Sequence, residues 1–132
     1  MSTFSGRFYC EFDSFYSVLI EDDGRVAYAY LMQDEDKIAD VWLYNQAQAP
    51  AGSFWKEEDM PFLNPADYLN KDAAIPPVKN ADEVRCEWIE TNDGMIEVDI
   101  LLRGKFIAQL SPGAKPGWSV LVAKDGPLAL VY

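Results

Sequence analysis

The chain contains no histidine and only two cysteines, Cys10 and Cys86. Without imidazole there is no Ser–His or Cys–His nucleophile pair and no neutral-pH imidazole base, which removes the commonest hydrolase and transferase schemes. A zinc site would have to combine thiolates with carboxylates, an unusual ligand set for that metal, and the two cysteines share no ligand spacing. Both sit in apolar, strand-like runs and read as reduced core residues, with a Cys10–Cys86 disulfide open only to an exported chain. Basic residues are scarce too: 11 Lys and Arg stand against 22 Asp and Glu, for a net charge of −11. No two bases are adjacent. Phosphate backbones and anionic lipid surfaces are bound by clustered cations, so neither nucleic acid nor a membrane is the expected partner. No apolar run is long enough to span a bilayer. The start, Met1-Ser2-Thr3-Phe4-Ser5-Gly6-Arg7, lacks the basic and apolar segments of an export signal, so a cytoplasmic location is expected.

What is present is a globular composition, 49% hydrophobic and 14% aromatic over 132 residues, the size of a single domain spanning 1–132. The strongest local signal is a polar pair ending in glycine. It occurs as Asp22-Asp23-Gly24, Asn92-Asp93-Gly94 and Lys124-Asp125-Gly126, each between two strand-like runs. A three-residue hairpin loop needs such a pair in a type I turn, then glycine in the left-handed conformation. With the loop at 92–94, Trp88 faces Val98, Cys86 faces Ile100 and Val84 faces Leu102, giving one continuous apolar face. A one-residue slip would destroy it. The same arithmetic at 22–24 sets Ile20 against Val26, Val18 against Tyr28, Tyr16 against Tyr30 and Glu21 against Arg25. Val41 and Leu43 then extend the tyrosine face, and Ser17, Ala27 and Ala29 form a small-residue face behind it. At 124–126 it sets Val122 against Leu128, Val120 against Leu130 and Trp118 against Tyr132. A further strand is expected over Arg7–Phe12. Lys105–Leu110 follows Gly104, which marks either a turn or a kink.

Residues 45–83 differ. Pro50, Pro61, Pro65, Pro76 and Pro77 exclude a central strand. One short helix is expected at 65–71, with Asn64 as its cap, Pro65 in its first position and Asp67 in its first turn. The expected fold is therefore mainly β, a β-rich α+β chain. A meander at 7–44, an irregular crossing segment at 45–83 and a second antiparallel set at 84–132 would form a sandwich or a partly open barrel.

Asp34-Glu35-Asp36 with Asp40, and Glu57-Glu58-Asp59, are the acidic clusters. Adjacent carboxylates on one turn lack the separation that glycoside hydrolysis requires. Asp34, Asp36 and Asp40 suit a hard cation better, but the glycine and closing glutamate of the helix-loop-helix calcium motif are missing, so no metal site and no cofactor is assigned. Ser111-Pro112-Gly113-Ala114-Lys115-Pro116-Gly117 lacks the ending of a phosphate loop and reads as a connection. The aromatics crowd into residues 1–62. Trp55, beside Glu57, Glu58 and Asp59, has the character of an interface anchor, and Asp34, Glu35 and Asp36 add charge that steers a basic protein. The first expectation is thus a non-catalytic binding protein with a basic protein partner, of the immunity- or inhibitor-protein kind by analogy of composition. The alternative is a β-barrel carrier with a small ligand among Tyr16, Tyr28, Tyr30 and Trp42. The third is a carboxylate enzyme.

Overall fold

The computed structural model describes residues 3–52 and 60–132. Strands β1 (Phe4–Tyr9), β2 (Tyr16–Asp22), β3 (Val26–Gln33) and β4 (Asp36–Asn45) form a four-stranded antiparallel sheet in chain order. Strands β5 (Val84–Glu90), β6 (Ile96–Leu102), β7 (Lys105–Leu110), β8 (Trp118–Ser119) and β9 (Leu130–Val131) form a five-stranded mixed sheet. The chain is mainly β, and the sheets do not close into a barrel.

The β5–β6 hairpin has the expected register. Val84 faces Leu102, Cys86 faces Ile100 and Trp88 faces Val98. Val84, Trp88, Val98, Ile100 and Leu102 are buried, while Arg85, Glu87 and Ile89 point outward. Burial of the alternate set selects the register, since the shifted pairing would send Asp99 inward. Gly94 holds a φ of 82°, the left-handed conformation the loop demands. Gly104 is a turn. Arg103 and Gly104 have φ of 50° and 81°, the double-positive geometry of a two-residue hairpin, and Leu102 faces Lys105 directly.

The β2–β3 hairpin departs from expectation. Gly24 does take a positive φ, but the reversal lies nearer the C-terminus, and Asp22 stays in the strand opposite Ala27. Aspartate side chains account for this. Asp22 Oδ1 accepts the Gly24 N–H at 2.9 Å, and Asp23 Oδ1 accepts the N–H groups of Arg25 and Val26 at 2.8 and 2.9 Å. These bonds stabilise a longer turn than the minimal loop. The displacement is odd, so every pairing changes face. Glu21 lies opposite Tyr28 and not Arg25, Leu19 opposite Tyr30, and Ile20 opposite Ala29. Tyr16 faces Gln33, on the side away from Tyr28 and Tyr30. A bulge in β4 puts Trp42 opposite Tyr28, Asp40 opposite Tyr30 and Val41 opposite Ala29. Val18, Ile20, Ala27, Ala29, Leu31 and Val41, all buried, line the inner face.

The expected hairpin at 124–126 does not form. β9 runs parallel to β8, with Trp118 beside Leu130 and Ser119 beside Val131. Val122 is drawn away to Leu69 in an isolated bridge, and the N–H groups of Ala123 and Asn70 donate to the Tyr68 and Leu121 carbonyls at 2.7 and 3.1 Å. The crossing segment thus takes the backbone partners that a hairpin would have used. The expected short helix at 65–71 is only a 3-10 turn, Ala66–Tyr68, and the described residues contain no α-helix. Asn64 does not cap it. Its N–H donates to Asn45 Oδ1 at 3.0 Å and its carbonyl accepts from Asn45 Nδ2 at 2.9 Å, clamping the segment to the end of β4. β1 stops at Tyr9, short of the expected Phe12.

One core cluster takes side chains from both sheets, including Ile20, Leu31 and Val41 from the first and Val98, Ile100 and Leu110 from the second. The free edge of β4 is covered by the connection at 113–117. Asp40 N–H donates to Ala114 O at 3.0 Å, Gly117 N–H to Asp40 O at 2.7 Å, and Trp42 N–H to Leu128 O at 3.0 Å. An edge paired in this way cannot recruit another strand. Cys10 and Cys86 carry free thiols, and Cys10 is buried.

Candidate functional site

Two surface features of the first sheet carry chemistry. One lies at its end, where the β1–β2 connection (10–15) meets the β3–β4 turn (34–35). The Asp34 N–H donates to the Phe15 carbonyl at 2.7 Å, which joins them. Asp34 adopts a left-handed φ of 55°, a conformation aspartate tolerates better than most residues. Arg7 crosses from β1. Its Nε donates to Ser17 Oγ at 2.9 Å and its guanidinium to the Asp34 carbonyl at 2.5 Å and to Glu35 Oε1 at 3.2 Å, while standing 5.4 Å from the Tyr9 ring centre. Three large aromatics of this stretch of chain face solvent: Tyr9 is 58% exposed, Phe12 52% and Phe15 49%. Glu11, Asp13, Asp34, Glu35 and Asp36 are exposed among them. The aromatics follow from β1 ending early, since the residues after Tyr9 leave the inward–outward alternation of a strand.

The second feature is a groove on the outer face of β3. Tyr28 and Tyr30 stack there, with ring centres 6.2 Å apart and planes 15° from parallel. Residues two apart on one strand share a face, which is why they meet. The Tyr28 hydroxyl donates to the Phe62 carbonyl at 2.6 Å. Lys37 Nζ lies 4.1 Å from the Tyr30 ring centre and 3.8 Å from Glu21 Oε1. Toward the β2–β3 turn the space is about 390 Å³ and includes Glu21, Asp23, Met60 and Pro61. Toward β4 it is about 220 Å³, between Asp40, Phe62, Pro127 and Leu128. Burial pushes the Tyr30 hydroxyl up to about 12, aided by the carboxylates of Glu21, Asp40 and Asp23. Burial likewise raises the Tyr28 hydroxyl, with Tyr30 adding to the effect, and raises the Asp40 carboxyl against the pull of Lys115 and Lys37.

No family model, curated protein or solved structure matches the chain significantly.

Of the residues singled out from sequence, Asp34 joins exposed Phe15 through its N–H and Glu35 joins Tyr9 through Arg7, while Asp36 is exposed at the start of β4. Trp55, Glu57, Glu58 and Asp59 lie outside the described residues. Tyr28 and Tyr30 line the groove, but Tyr16 lies on the other face of the sheet and joins no tyrosine ladder. Trp42, opposite Tyr28 on β4, is fully buried, with Nε1 donating to Asn45 Oδ1 at 2.9 Å. It is not open to a ligand. Asp34, Asp36 and Asp40 do not form a cation site: among the described residues no three acids or thiols converge on one point. Asp36 pairs with Gln33 and Asp40 with Tyr30, at separate places on the ladder. Sequence reasoning missed Tyr9, Phe12 and Phe15 as a group, and missed Lys37 over Tyr30. The packing of aromatics and acids over 9–15, without strand alternation, was the available signal for the first.

Proposed function

We infer that this chain is a non-catalytic binding protein whose partner is another protein, a basic one, in the manner of an immunity protein or inhibitor. The observation that carries the reading is the patch of Tyr9, Phe12 and Phe15 set among Glu11, Asp13, Asp34, Glu35 and Asp36. Large aromatics concentrated on the surface of a small domain are characteristic of interfaces, where they supply most of the affinity. Surrounding carboxylates add encounter rate and partner selection more than affinity. The two bases nearby are already engaged, Arg7 with Glu35 and Lys37 with Glu21. The patch therefore presents a negative field over apolar contacts, the complement of a basic surface. We read the two sheets as a sandwich whose role is to hold this end rigid, and two free thiols suit the cytoplasm.

The test is affinity capture from the native host's lysate at low and high salt with three baits: the unaltered chain, Phe12→Ala with Phe15→Ala, and Asp34→Lys with Glu35→Lys and Asp36→Lys. The unaltered chain should retain one basic protein at low salt and release most of it at high salt. The aromatic variant should lose it at both. The charge variant should associate more slowly and show a flatter salt dependence. A partner retained equally by all three baits, or no basic partner at all, defeats the reading.

A carrier reading draws on the Tyr28–Tyr30 groove. The groove is open to solvent along the sheet face, and small-ligand sites bury most of their ligand. The protein partner is therefore the better-supported occupant.

A further inference from the structure

The groove on the outer face of β3 has its own chemistry. Tyr30 already receives a cation on its ring face, the Lys37 ammonium at 4.1 Å, and that ammonium is shared with Glu21 at 3.8 Å. An aromatic face with a carboxylate at its rim is the general receptor for a cationic side chain. Asp40 lies half-buried on β4, opposite the same Tyr30. Its backbone groups are paired with Ala114 and Gly117. Its carboxylate has neither a hydrogen-bond donor nor an ion pair among the described residues, although Lys37 and Lys115 stand near enough to act on it through space. A desolvated carboxylate without a donor is costly, and a cation carrying N–H groups relieves that cost. Pro127 and Leu128 on one side and Pro61 and Phe62 on the other supply apolar walls for an aliphatic stem.

We propose that this groove seats an arginine side chain of the basic partner, with its guanidinium stacked on Tyr28 and Tyr30 and donating to the Asp40 carboxylate, and with Lys37 as a tethered stand-in in the free protein. The proposal rests on the binding-protein reading above and names a second contact for the same partner. Arginine fits better than lysine for three reasons. Its planar group stacks on an aromatic face, its paired N–H groups match a carboxylate in two places, and it is less strongly hydrated. A side chain also fits an open groove better than a free molecule does, because the rest of the interface has already met the cost of ordering it.

The probe is a capped Gly-Arg-Gly tripeptide, titrated into the full-length chain at low ionic strength and followed by the aromatic NMR signals of Tyr28 and Tyr30. A tripeptide with citrulline in place of arginine is the neutral control. The arginine peptide should shift both rings in a saturable manner, and the citrulline peptide should not. Asp40→Asn should weaken binding by about tenfold or more, the loss of a charged hydrogen-bond acceptor. Lys37→Met should strengthen it by about threefold, because the ring face is released and a like charge removed. Equal shifts with both peptides, shifts confined to residues 34–36, or unchanged binding by Asp40→Asn would overturn the proposal. A chain that captures a salt-sensitive basic partner but shows no arginine effect at Tyr30 loses this site and keeps the wider reading. Peptide binding by a chain that captures no basic protein supports the site and removes that reading.

Discussion

Asp22 is the residue on which the unexpected register of the first sheet depends, and its removal should cost more than any surface change. It is 3% exposed. Its Oδ2 accepts the Tyr44 hydroxyl and Gln46 Nε2, each at 2.7 Å, and its Oδ1 accepts the Gly24 N–H at 2.9 Å. The Tyr44 hydroxyl in turn accepts the Val78 N–H at 2.9 Å. One carboxylate therefore ties together the β2–β3 turn, the end of β4 and the crossing segment. In Asp22→Ala the Tyr44 hydroxyl and the Gly24 N–H lose their acceptor in a buried place, while half-buried Gln46 can turn toward water. An orphaned buried donor costs about 1–3 kcal/mol, so two cost about 2–6 kcal/mol. That is a large share of the roughly 5–15 kcal/mol by which a domain is stable. Urea unfolding followed by tryptophan fluorescence should place the midpoint about 2 M lower with an unchanged slope. Tyr44→Phe alone, which leaves the Val78 N–H without its acceptor, should cost about 1–3 kcal/mol. Because the two residues share one bond, the double variant should be less damaged than the sum of the singles by about 1 kcal/mol or more. A loss below about 1 kcal/mol for Asp22→Ala, or strict additivity, would refute the account of the turn.

Other consequences are independent of that network. Gly117→Ala should destabilise by about 1–3 kcal/mol, since a Cβ there would sit 2.6 Å from the Gln109 carbonyl oxygen and 2.8 Å from Leu110 Cδ2; thermal unfolding checks it, and an unchanged midpoint disproves the close approach. Burial raises the Asp40 carboxyl, so between its unfolded and folded values the native state binds more protons than the unfolded one. Stability is then lost as pH rises through that window, and Asp40→Asn should be more stable than the unaltered chain at pH 7 but not below the unfolded carboxylate range. Chemical unfolding at pH 7 and pH 3 measures this, and a destabilised Asp40→Asn at pH 7 contradicts it. Burial pushes the Cys86 thiol up to about 12 from 9.0, so its thiolate fraction at pH 8 falls by about a thousandfold. Ellman's reagent should detect both thiols only after unfolding, and fast native reaction at Cys86 would count against that burial.

The β5–β6 pairing was legible because only one register puts Val84, Trp88, Val98, Ile100 and Leu102 inside, and a strand of mixed polarity has a strong preference for that face. The β2–β3 pairing was not legible by the same rule. Ser17-Val18-Leu19-Ile20 and Val26-Ala27-Tyr28-Ala29-Tyr30 are apolar on both faces, so hydrophobic pattern alone leaves two registers nearly balanced. Side-chain bonds from Asp22 and Asp23 decide between them. That choice took Tyr16 off the tyrosine face, and it left Asp40, Tyr28 and Tyr30 lining one groove. Asp34, Glu35 and Asp36 were readable as an exposed turn, but their meeting with Phe15 depends on a bond between residues distant in the chain.

From residue order alone come the strand content, the glycine-marked turn at 94, the excess of acid and the loss of imidazole chemistry. These are local or compositional properties, and no folding is needed to evaluate them. The parallel pairing of β8 with β9, the face on which each tyrosine lies and the seat of Lys37 on Tyr30 belong to tertiary structure. Each is a competition between partners far apart in sequence, as when Leu69 claims Val122 ahead of its neighbours. Nearest-neighbour preferences do not contain the energy of that contest.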